Sequence, residues 1–203
     1  GIKVWVFCIE PFNFDAGDPV LEANPAFRGA KFFHKIAFCP ALPEGRKYIH
    51  DSVHSIFREA PGLGGMLNIS LGERGTTCLS SISPLENHPV ECPNCGRIPK
   101  AEIIGNSRLI SWIYLPHQAA GRAAWVYDIA KYTPPGVILQ YNFESGGTPR
   151  QLGKIRSAGD YWLSYVGPSN TFRRMAAAAR KSGIPLSAKL QVSSSLELET
   201  VSS

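Results

Sequence analysis

Apolar residues along this chain fall mostly in short runs, with a few stretches of helical period between them. Ile2 to Ile9 is an apolar and β-branched run, broken only by Lys3, that stops at Glu10-Pro11. It reads as a strand buried on both faces, of the kind parallel sheets use. Further strands are expected at Ile36 to Cys39, Gly64 to Leu71, Leu109 to Leu115, Val137 to Phe143, Tyr161 to Val166 and Leu186 to Val192. Phe12 to Phe33 reads as loop with a short helical patch near Val20 to Ala23. The clearest helix is Pro43 to Glu59. Pro43 suits a first turn, and Ile49, Val53, Ile56 and Phe57 recur on one face before Pro61-Gly62 ends it. Ala119 to Lys131 and the Ala-rich Asn170 to Lys181, closed by Gly183, are the other expected helices.

Strand and helix in alternation is the pattern of a parallel sheet with crossover helices. The expected fold is therefore α/β, a (β/α) TIM-type barrel, incomplete at six or seven strands. It is read as a single domain over residues 1–203, with a cysteine-rich excursion at 73–97 after the Gly64 to Leu71 strand. Between that excursion and the fourth strand, Ala101 to Gly105 leaves no room for a full crossover helix. An incomplete barrel exposes sheet edges, so homo-oligomerisation is expected where they are open.

Composition narrows the function classes. The chain has 203 residues, 44% of them hydrophobic and only 18% charged, with 19 Gly and 16 Pro. That suits a packed core with many tight connections. No apolar run reaches the length of a membrane helix, so no membrane partner is expected. The formal net charge is +5. The basic residues are scattered, with no block of five or six although Arg173-Arg174 and Arg180-Lys181 pair up, so no nucleic-acid partner is expected. Gly1 to Val6 already reads as strand, without an initiator Met or a signal-peptide pattern, as in a fragment or processed form.

Five cysteines are present, and two stand as Cys92-Pro93-Asn94-Cys95. Thiolates at that spacing can turn toward one metal ion. Cys78 is a third candidate ligand, and the fourth is either Cys39 or His88. A full thiolate set points to a structural zinc clip, because catalytic zinc keeps an open position and favours His and carboxylate ligands; free or redox-active cysteines and a disulfide are the alternatives. Reduced cysteines in turn suggest an intracellular setting. Cys8, inside the first strand, reads as a small buried apolar residue. His50 and His54 lie one helical turn apart but read as a solvated helix face.

Several strands end in a chemically useful residue: Glu10, Glu73, His117, Glu144 and Gln191. In a parallel barrel such ends converge on one face, where active sites sit and carboxylates can divide acid and base work. Phe12, Phe14, Trp112, Tyr114, Tyr141 and Phe143 lie near the same ends, and flat aromatic rings suit the C–H faces of sugars.

The segments Val4-Trp5-Val6-Phe7-Cys8-Ile9-Glu10-Pro11, Gly64-Gly65-Met66-Leu67-Asn68-Ile69-Ser70-Leu71-Gly72-Glu73, Cys92-Pro93-Asn94-Cys95, Gln140-Tyr141-Asn142-Phe143-Glu144 and Ser164-Tyr165-Val166-Gly167-Pro168 follow one another in an informative order. Together the chain resembles bacterial proteins similar to family 20 glycoside hydrolases, the β-N-acetylhexosaminidase-like barrels. The resemblance implies glycoside hydrolysis. Glu73 would be the general acid and Glu144 the second carboxylate, as base, nucleophile or sugar ligand. Glu10 would bind substrate hydroxyls, with Tyr114, His117, Asn142 and Gln191 completing the carbohydrate-binding set. Those enzymes carry an Asp directly before the acid, and this chain carries Gly72 there. The expectation is therefore a glycoside other than an N-acetyl sugar. The alternatives are a non-catalytic carbohydrate-binding barrel and a zinc-stabilised protein-interaction module.

Overall fold

The structure, a computed structural model, describes residues 2–8, 13–71, 77–81, 90–105, 111–113, 124–155 and 167–190. Its main element is a five-stranded sheet. In spatial order the strands are β1 (Trp5–Cys8), β5 (Gly65–Leu71), β6 (Ser111–Ile113), β7 (Leu139–Asn142) and β10 (Leu186–Lys189). Every neighbouring pair is parallel. Spatial order follows chain order, so the strands' C-terminal ends lie along one edge.

Two small antiparallel sheets accompany it. β2 (Phe14–Asp15), β4 (Lys35–Phe38) and β3 (Arg28–Phe32) form one, in that order, and β8 (Arg150–Gln151) with β9 (Lys154–Ile155) forms the other. The expected barrel is thus corrected to an open sheet: among the described residues, β1 and β10 are its edges and do not meet. One cause is local. The run around Ile36 to Cys39 was expected to join the parallel sheet. Phe33 instead takes a left-handed φ of 55°, and the chain doubles back so that β4 pairs antiparallel with β3. A connection that short permits only an antiparallel neighbour. The expected strand at Tyr161 to Val166 lies outside the described residues.

The helices follow the sequence more closely. α1 (Pro19–Ala23) begins where the Asp18 carboxylate accepts the Val20 N–H at 2.8 Å. α2 (Pro43–Glu59) matches its expected bounds, with proline in its first turn. Its Ile49, Val53 and Phe57 turn inward, while Ile56, expected on the same face, is 38% exposed. α3 (Lys100–Gly105) is a short helix where no full crossover helix was expected, and it buries Ala101, Ile103 and Ile104. α4 (Ile129–Tyr132) follows a 3-10 turn at Ala124–Asp128. α5 (Asn170–Ser182) starts at Ser169, whose hydroxyl accepts the Phe172 N–H at 3.1 Å.

These elements enclose two apolar cores. One packs Leu139 and Tyr141 of β7 against Ile103, Ile104, Val126, Ile129 and Met175 from the helices. The other gathers Leu21, Phe27, Ile36, Phe38, Ile49 and Met66 beneath α2. Phe38 is fully buried there, with ring centroids 5.4 Å from Phe27, 5.8 Å from Tyr48 and 6.4 Å from Phe14. Removing so large a ring leaves a cavity that several aromatic neighbours cannot all close. Phe38→Ala should therefore lower unfolding free energy by about 3–5 kcal/mol, read from urea denaturation. A loss well under 1 kcal/mol would show that this second core contributes little.

Candidate metal centre and strand-end residues

The four expected cysteines meet. The Sγ atoms of Cys39, Cys78, Cys92 and Cys95 all lie within 4.8 Å of one another, and all four residues are buried. They come from three local settings. Cys39 follows β4 directly, and its N–H donates to the Phe27 carbonyl at 3.0 Å. Cys78 opens a 3-10 turn after β5. Cys92 and Cys95 form a tight knuckle just before α3. There the Cys92 N–H donates to Val90 O at 2.8 Å, Gly96 N–H to Cys92 O at 2.9 Å, and Ile98 N–H to Cys95 O at 3.0 Å. A Cβ on Gly96 would stand 2.7 Å from Val90 O and 2.8 Å from Cys92 O, so the knuckle closes only on glycine. The choice between Cys39 and His88 falls to Cys39 among the described residues; His88 lies outside them.

No disulfide joins these sulfurs; the Cys92 and Cys39 Sγ atoms are 3.6 Å apart, well beyond an S–S bond. A backbone amide points at one of them: Ala30 N–H reaches Cys78 Sγ at 3.4 Å. The thiols also bond one another, which splits their acidities. Cys92 is pushed far down, chiefly by its hydrogen bond with Cys39, and Cys39 is lowered by its bond with Cys78. Cys78 and Cys95 are pushed well up, each first by its bond with Cys39. Four close sulfurs cannot all carry negative charge unless a cation joins them. The four sulfurs could hold a metal ion, and a set of four would leave no ligand position for a substrate.

Cys8 stands apart from the cluster. It is half-buried and donates its thiol to Asn68 Oδ1 at 3.2 Å, so it is hydrogen-bonded rather than a purely apolar filler. Asn68 itself is 1% exposed in the middle of β5. Its only sequence signal was one amide inside an apolar run.

Of the strand-end set, Asn142 and Glu144 are described. Asn142 closes β7 and Glu144 lies just beyond it; each is 2% exposed. The turn after Glu144 is tied to α5, since the Thr171 hydroxyl donates to Ser145 O at 2.9 Å and Ser169 N–H to Phe143 O at 2.8 Å. Glu10, Glu73, Tyr114, His117 and Gln191 lie outside the described residues.

Three of the strand-end aromatics serve core packing, the role expected for about half of them. Tyr141 is 3% exposed in the first core, Phe14 leans on Phe38, and Phe143 meets Phe172 edge-on at 5.0 Å. His50 and His54 stack at 6.2 Å on α2, and His50 is paired with Asp51. Among the described residues no helix is long and apolar enough to cross a membrane. The chain matches no family model, no curated protein and no solved structure.

Proposed function

We propose that Cys39, Cys78, Cys92 and Cys95 hold a single Zn2+ as a structural clip. The observation that carries this is the buried set of four sulfurs within 4.8 Å. Sulfurs about 2.3 Å from a common tetrahedral zinc lie about 3.8 Å from each other. The 3.6 Å between Cys39 and Cys92 is close to that edge. Thiolates suit zinc, and four of them fill its shell without water, the signature of a structural site. The clip would fasten the β3–β4 hairpin to the turn after β5 and to the knuckle that leads into α3. Because the ligands are far apart in the chain, metal binding would be linked to folding.

Purified protein should carry zinc at one ion per chain by elemental analysis. A strong chelator should lower its unfolding temperature, added Zn2+ should restore it, and Cys78→Ser should mimic the chelated protein. Because protons compete for the thiolates, zinc retention should weaken as pH falls. A metal-free protein whose stability ignores both zinc and chelator would defeat this reading.

A second reading, on activity, is favoured by Glu144. The C-terminal ends of the parallel strands lie along one edge, and Glu144 is a buried carboxylate just beyond one of them. We propose that the chain hydrolyses a glycosidic bond, with Glu73 as the acid that protonates the leaving oxygen and Glu144 as its partner carboxylate. Neither the order of the motifs nor this chemistry requires a closed barrel. Reducing-sugar release from a panel of polysaccharides and aryl glycosides should fall by about 10²–10⁴-fold in Glu73→Gln and in Glu144→Gln, with unfolding temperatures retained. Undiminished release in both variants would remove these carboxylates from any mechanism.

A further inference from the structure

We infer that β3 is a working part of the metal centre: a bulge at Gly29 and Ala30 aims a backbone amide at Cys78, and Gly29 is the positioning residue that lets it do so. The inference rests on the reading of the cysteines as a zinc site. β3 and β4 pair at Arg28 with Phe38 and at Lys31 with Ile36, and the register shifts between these pairs. Gly29 and Ala30 on one strand therefore face Ala37 alone on the other, which is a β-bulge. Such an extra residue interrupts the ladder and re-aims its backbone groups. Here the Ala30 N–H points to Cys78 Sγ, 3.4 Å away and 48 residues along the chain.

The approach needs a residue without a side chain. A Cβ on Gly29 would stand 2.4 Å from Cys78 Sγ and 2.6 Å from the Ala37 carbonyl oxygen. Neither is the end of a flexible chain, so the strand or the sulfur would have to move. The amide that reaches Cys78 comes from another strand, β3. Amide donors draw charge from a metal-bound thiolate and fix its direction, and losing such partners commonly costs about 10–100-fold in metal affinity.

The test begins with zinc transfer from the whole protein to a chromogenic chelator. Gly29→Ala should release zinc about 10–100-fold faster than wild type. Gly62→Ala, whose Cβ would meet nothing within 4 Å, should release it at the wild-type rate. Cobalt-substituted Gly29→Ala should show displaced thiolate-to-metal absorption bands, which a general loss of stability would not produce. Should Gly29→Ala fail to fold, wild-type protein loaded with 113Cd decides the matter. A scalar coupling between 113Cd and the Ala30 amide proton, through the N–H···S bond, is expected. Cadmium-loaded protein without that coupling, or a Gly29→Ala variant that holds zinc like wild type, overturns the inference and leaves the zinc site standing. If wild type takes up no metal at all, both fall together.

Discussion

Four sulfur atoms packed into one buried volume form an unstable arrangement by themselves. As thiols they compete for the same hydrogen bonds, and as thiolates they repel one another in a place where water cannot screen them. A divalent cation removes both difficulties, and the cluster geometry suits one. Much of the surrounding chain makes sense only with this constraint in view. The knuckle closes on Gly96 because two carbonyls crowd it, and β3 breaks its own ladder at Gly29 and Ala30 to bring an amide to Cys78. Each of these departures from regular structure is costly in isolation, and each faces the same cluster.

The parallel sheet depends on that arrangement less directly. Its strands run in chain order, so every connection returns the chain to the same end of the sheet. The connection from β5 to β6 holds Cys78, Cys92, Cys95 and the short α3. A compact crossover helix would normally fill such a connection and cover the sheet. Among the described residues of this connection, the cysteine cluster and α3 join the first core together with Leu79, Val90, Ala101, Ile103 and Ile104. A metal held by the cysteines, as proposed, would add to that burial by tying the connection to the β3–β4 hairpin.

The two features that were most legible in the sequence had strictly local causes. Pro43 to Glu59 is a helix because its apolar period and its terminal residues agree, and its observed bounds are those expected. The Cys92-Pro93-Asn94-Cys95 knuckle was legible because ligand spacing within one turn is itself the signal. Cys39 could only be offered beside His88, since choosing between them requires knowing where β4 ends in space. The barrel was misread for a related reason. Hydropathy identifies a strand without giving its direction, and the turn at Phe33 and His34, which reverses β4, carries no glycine or proline to mark it. Gly29 was illegible altogether: one glycine in an ordinary-looking run becomes significant only when a sulfur from 49 positions downstream fills the space of its missing side chain.

Position in the fold also separates the two chemistries proposed for this chain. The sulfurs sit buried within the first core, where they could hold a metal ion. Glu144 lies at the other kind of place, past the end of a parallel strand, where side chains from successive strands can converge on one molecule. The turn that carries it is held from below by Thr171 and Ser169 at the start of α5, and not by the cysteine cluster. Loss of metal would therefore strike first at the β3–β4 hairpin and at the entry to α3. The Glu144 turn would feel it only through the core they share.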